Sequence, residues 1–62
     1  MNRPVPFPLT SGASVRVVDG PFSGLRGVIR QILAEREEFV VEVTVGNRPT
    51  QIWLDFGHVE AV

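Results

Sequence analysis

Cysteine and lysine are both missing from this chain of 62 residues, and histidine occurs once, at position 58. Without cysteine there is no disulfide framework and no thiolate zinc site, and one histidine does not hold a metal by itself. Without lysine no Schiff base forms with a carbonyl substrate. No apolar run approaches the roughly 20 residues that a membrane span requires. The opening Met1-Asn2-Arg3-Pro4-Val5-Pro6-Phe7-Pro8 lacks the apolar core of a secretory signal. A cytoplasmic domain that needs neither cofactor nor metal is the expectation. A dominant charge is missing too: all six basic residues are arginines, and seven carboxylates leave a formal net charge of −1. Arg16, Arg26, Arg30, Arg36 and Arg48 are interleaved with Glu35, Glu37, Glu38, Glu42 and Glu60. Nucleic-acid binders usually carry a basic stripe, because phosphate contacts supply most of their affinity. No such stripe is written here.

A chain this short makes one domain, which buries only about 60% of the surface its unfolded form exposes. With no disulfide or metal, most apolar residues are needed for the core. Little is left from which to build a catalytic cleft, so the expected module is not an enzyme. Residues 1–12 read as a Pro-rich linker or arm, in which Pro4, Pro6 and Pro8 alternate with Val5, Phe7 and Leu9. Proline forces an extended course without ladder hydrogen bonds. An interdomain linker suits this pattern better than an arm folded back through Phe7 and Leu9.

From residue 13 the hydrophobic period is two, the mark of half-buried strands. Val15 and Val17 alternate with Ser14 and Arg16 until Asp19-Gly20-Pro21 stops the strand. Val28 to Leu33 forms a second strand with Ile29 and Ile32 three apart, a spacing that a β-bulge would reconcile to one face. After the charged turn Ala34 to Glu38, Phe39, Val41, Val43 and Val45 are expected inward, with Val40, Glu42 and Thr44 outward. Gly46-Asn47-Arg48-Pro49 makes a hairpin connection. Thr50, Ile52, Leu54 and Phe56 then share one face of a fourth strand, opposite Gln51, Trp53 and Asp55. Gly57-His58 breaks it before a short last strand, Val59 to Val62. Short strands joined by tight Gly and Pro turns imply a small all-β barrel. Gln31 to Phe39 also has helix propensity, but the β-branched run after it favours strands.

Two segments carry a family resemblance. Ser14-Val-Arg-Val-Val-Asp-Gly-Pro-Phe-Ser-Gly-Leu-Arg-Gly-Val-Ile is similar to the KOW motif of NusG-type transcription factors. Thr50-Gln-Ile-Trp-Leu-Asp-Phe-Gly-His-Val-Glu resembles the end of the same domain. The likeness covers residues 13–62. It implies a five-stranded antiparallel SH3-like barrel, the C-terminal domain of transcription elongation, termination or antitermination factors. Such a barrel is tethered to a domain that rides on RNA polymerase, and docks onto termination factor Rho or the ribosomal protein NusE. Transferred by position, the docking residues are Phe22 and Leu25 from the first loop, and Val45 and Arg48 from the second. Gly27 is the glycine at which two backbones approach closely.

The chain departs from the family at Gly46, where NusG proteins commonly have an aromatic residue. Losing an interface anchor can cost about 2 kcal/mol or more, so the Rho or NusE contact is weakened or the partner differs. Trp53, on the outer face of the fourth strand, is a candidate replacement anchor; packing of the arm over it is the alternative. Phe22 is read either as a partner anchor or as a plug of the barrel end, and Leu25 as exposed. Asp55 is read as an acceptor for the neighbouring turn, and His58 as a turn residue. An RNA-binding module of ribosomal type, using Arg16, Arg26, Arg30 and Arg48, is the rival function. Some specialised relatives refold this domain into a helical hairpin, but the isolated chain should be β and monomeric.

Overall fold

The structure, a computed structural model, describes residues 10–62. Five strands form one antiparallel sheet: β1 (Ser14–Val17), β2 (Arg26–Leu33), β3 (Glu38–Val45), β4 (Arg48–Asp55) and β5 (Val59–Ala61), in the order β4-β3-β2-β1-β5. The only helical segments among the described residues are two 3-10 turns, Ala34–Arg36 and Phe56–His58. The sheet curls, and backbone bonds tie its ends together: Phe56 N–H donates to Glu37 O at 2.9 Å, and Val18 N–H to His58 O at 2.9 Å.

The core follows from the alternation. Val15, Val17, Ile29, Phe39, Val41, Val43, Ile52, Phe56 and Val59 are buried as one cluster, with Ala13, Phe22, Leu25, Ile32 and Leu54 packed on it. Phe39 and Phe56 meet at a ring-centroid distance of 4.6 Å, tilted by 32°, within the range of favourable aromatic pairs. The expected bulge is present: Ile29 pairs with Val41 but Gln31 with Val40, so Arg30 is the extra residue. The slip brings Ile32, opposite Phe39, back to the inner face.

Gly27 is required by space. A Cβ there would lie 2.5 Å from the Glu42 carbonyl oxygen and within 2.8 Å of side chains of Val41 and Val43. Gly46 and Asn47 have φ of +55° and +65°, the left-handed pair that a two-residue type I′ hairpin needs. The hairpin is therefore shorter than expected, because Arg48 and Pro49 already belong to β4, opposite Val45 and Thr44.

One position of β3 differs from the alternating expectation: Val45, expected inward, is 43% exposed, because its row lies beyond the end of the core. Val40 lies on the outer face as expected, opposite Trp53, yet is only 4% exposed and outside the main core cluster. Residues 1–9 of the expected linker, and any contact of Phe7, Pro8 or Leu9 with the barrel, lie outside the described residues. Residues 11 and 12 are tied to β2: Gly12 N–H donates to Ile29 O at 2.7 Å and Ser11 Oγ to Arg30 O at 3.2 Å. The helix-prone stretch runs as strand, 3-10 turn and strand, and the turn ends at Glu37 with φ of 56°.

Candidate protein-docking site

In a meander of antiparallel strands, alternate connections leave from the same end. The β1–β2 loop and the β3–β4 hairpin therefore share one end of the ladder, and the Ala34–Arg36 turn marks the other. The first loop is closed by its own backbone: Gly24 N–H donates to Val17 O and Val17 N–H to Leu25 O, each at 2.8 Å. Inside it Ser23 N–H reaches Gly20 O, and Leu25 N–H reaches Phe22 O, each at 3.1 Å. Asp19 Oδ1 accepts from Gly20 N–H at 2.8 Å. Its Oδ2 lies 3.5 Å from His58 Nε2, linking the loop to the Phe56–His58 turn. A loop so held presents its side chains at little further entropic cost.

Phe22 and Leu25 are half-buried and packed against the core. The packing of Phe22 on the core fits the plug reading, and Leu25 is more covered than its glycine and arginine neighbours suggested. Val45 and Arg48 face each other across the first pair of the hairpin, and both are exposed. By strand parity they continue the inner row of Thr50 and Ile52, and so stand at the rim that Phe22 and Leu25 plug. Val18, 41% exposed, adds to the apolar area at this loop. The sequence signal for it is the Val17-Val18 doublet: when one is buried by alternation, the other faces water.

The arginines divide by position. Arg16 pairs with Glu60 at 3.3 Å and Arg30 with Glu42 at 3.2 Å. Among the described residues Arg26, Arg36 and Arg48 take part in no ion pair. Arg26 opens β2 directly after Leu25, so Arg26 and Arg48 flank the apolar end.

Trp53 is brought to a different place. It pairs with Val40, five residues along β3 from Val45, a rise of roughly 16 Å, and it points to the outer face. The topology therefore leaves Phe22, Leu25, Val45 and Arg48 toward one end of the ladder and Trp53 toward the other. Asp55 Oδ2 accepts from Gly57 N–H at 3.1 Å and caps the second 3-10 turn, the acceptor role expected of it. Among the described residues no three His, Cys, Asp or Glu side chains are grouped to hold a metal ion. No described helix is long and apolar enough to cross a membrane.

Five antiparallel strands curled on themselves, with one end carrying apolar loop residues and, among the described residues, arginines outside any ion pair, define a small SH3-like β-barrel domain. The family model described as KOW motif matches residues 11–46. The transcription termination/antitermination protein NusG of Pseudomonas aeruginosa is 37% identical over 62 residues, a match covering 98% of this chain and 35% of that protein. The protein of the same name from Escherichia coli K12 is 41% identical over 49 residues, covering 79% and 27%. Among solved structures, one described as domain interaction in Thermotoga maritima NusG superposes with a TM-score of 0.85 at 36% identity, covering 90% of this chain and 32% of that one. The MjSpt4:Spt5 complex gives 0.80 at 24% identity, covering 100% and 42%, a likeness of fold. The chain belongs to the KOW family and is a KOW domain of the NusG type. It spans between about a quarter and about a third of the length of the NusG proteins it matches.

Proposed function

We propose that this domain is a non-catalytic docking module of a NusG-like transcription termination/antitermination factor, and that it binds Rho or NusE through Phe22, Leu25, Val45 and Arg48. The observation that supports the reading is that the connections carrying these four residues leave from the same end of the ladder, where the β1–β2 loop is braced by hydrogen bonds and Val45 and Val18 are exposed. Buried apolar anchors ringed by polar groups supply most of the energy of such interfaces. Phe22 and Leu25 are the anchors, Val45 widens the apolar area, and Arg48 offers a charge at the rim. The space at Gly46 is open: apart from its chain neighbours, nothing lies within 4 Å of where a Gly46 Cβ would be. The aromatic common in the family is not replaced from within the barrel end, so the partner's own side chains fill that space.

The RNA-binding alternative draws less support, because Arg16 and Arg30 are neutralised by Glu60 and Glu42. The test is an NMR titration of the isotope-labelled domain with NusE, with Rho and with a structured RNA. Shifts confined to residues 18–25 and 45–48 with either protein are expected. Silence with both proteins, together with salt-sensitive shifts around the arginines on adding RNA, would overturn the proposal.

A further inference from the structure

The outer face at the opposite end of the ladder is built differently from the docking end. Its register is a grid of two rows: Gln31, Val40 and Trp53 lie side by side on β2, β3 and β4, and Leu33, Glu38 and Asp55 form the next row. Successive positions on one face of a strand are about 7 Å apart, so Trp53 stands next to Asp55, and Val40 next to Glu38. The indole is 58% exposed, the largest exposed apolar side chain among the described residues, beside the buried Val40. Glu38 and Asp55 are directly opposite one another, and neither has a cationic partner among the described residues. Like charges in facing positions of a sheet destabilise it. An exposed tryptophan and two unneutralised carboxylates thus share one small face.

We propose that this face is a second docking surface, distinct from the barrel end, and that its occupant is an arginine-bearing segment of a separate protein. Charge complementarity decides the chemistry. A guanidinium lies flat on an indole and binds a carboxylate through paired N–H donors in one placement, and a lysine ammonium satisfies only the second demand. The two carboxylates repel phosphate, which excludes a nucleic-acid backbone here. Leu33, half-buried, supplies apolar floor for the stem of the arginine, which prefers to lie along such surface. The domain is then two-sided, with unpaired arginines at the barrel end and unpaired carboxylates around Trp53.

The test uses the intact chain and tetra-arginine amide as probe, with tetra-lysine amide for comparison. Trp53 is the only tryptophan, so its fluorescence reports the face directly, and amide shifts of Gln31 and Val40 report it when the indole is removed. We expect saturable binding that is several-fold tighter for arginine than for lysine and weakens as salt is raised. It should fall about tenfold in Trp53→Ala and in Glu38→Gln, and be largely restored in Trp53→Phe. No saturable change, equal affinity for Trp53→Ala and the parent chain, or shifts centred elsewhere would each overturn the proposal. A change of Trp53 emission in Arg3→Gln without peptide would assign the face to the chain's own N-terminal segment, which also overturns it.

Discussion

The barrel end and the Trp53 face make opposite use of the same sheet. At the barrel end the apolar side chains belong to loops that plug the core, so exposure is partial and binding and folding share residues. On the Trp53 face the side chains stand outward from regular strands, and the core lies behind them on the other side of the sheet. The end is cationic where unpaired, through Arg26 and Arg48, and the face anionic, through Glu38 and Asp55. A residue at the end is thus costly to change for two reasons, and a residue on the face for one.

Substitutions that remove the common scaffold should abolish the difference between the two regions. Phe39→Ala deletes a fully buried ring stacked on Phe56, and a loss of about 3–5 kcal/mol is expected. For a domain of this size that is close to the whole stability, and a urea melt should show it largely unfolded. Gly27→Ala comes next: the added methyl meets the Glu42 carbonyl and two buried valine side chains, so about 1–3 kcal/mol should be lost. An unchanged urea midpoint would show that β2 and β3 separate there without strain.

Smaller effects should split the regions. Leu25→Ala is expected to lower both stability and partner affinity, each by about 1–2 kcal/mol, read by melt and by calorimetric titration with NusE or Rho. Trp53→Ala should leave binding at the barrel end within twofold of the parent. A joint loss would show one continuous interface instead of two. The smallest change is Asp55→Asn, which keeps an acceptor for Gly57 N–H and removes the repulsion with Glu38. A gain of a few tenths of a kcal/mol is expected at low salt, fading as salt rises, whereas Asp55→Ala should lose stability with the cap.

Period-two alternation is strong information about which face a residue occupies, and β1, β3 and β4 were legible from it. Even the bulge at Arg30 was written in the spacing of Ile29 and Ile32, because two core residues three apart need one residue out of register. Alternation says nothing about depth. Val45 has the parity of Val41 and Val43, yet it passes the last layer of the core and meets water. Val40 has the parity of Glu42 and Thr44, yet it is covered. Phe22 and Leu25 sit in a loop with no period, so their half-burial depends on where the loop closes over the barrel. The opposition of Glu38 and Asp55 depends on register across a turn, which local patterning does not count. The grouping of Phe22, Leu25, Val45 and Arg48 was readable only through the family resemblance.

The turn at Gly46 and Asn47 has the minimum length that joins two antiparallel strands, and both of its residues are exposed. Variation there is therefore free in one direction. Shortening it breaks the ladder, whereas lengthening it adds only the slowly growing entropy of a larger loop, about 0.6 kcal/mol per doubling. A lineage that needs a new partner, or an engineer who wants one, can insert residues at this tip and change what the barrel end presents without moving a core residue. The shortest loop in the molecule is thus its most available place for acquiring specificity.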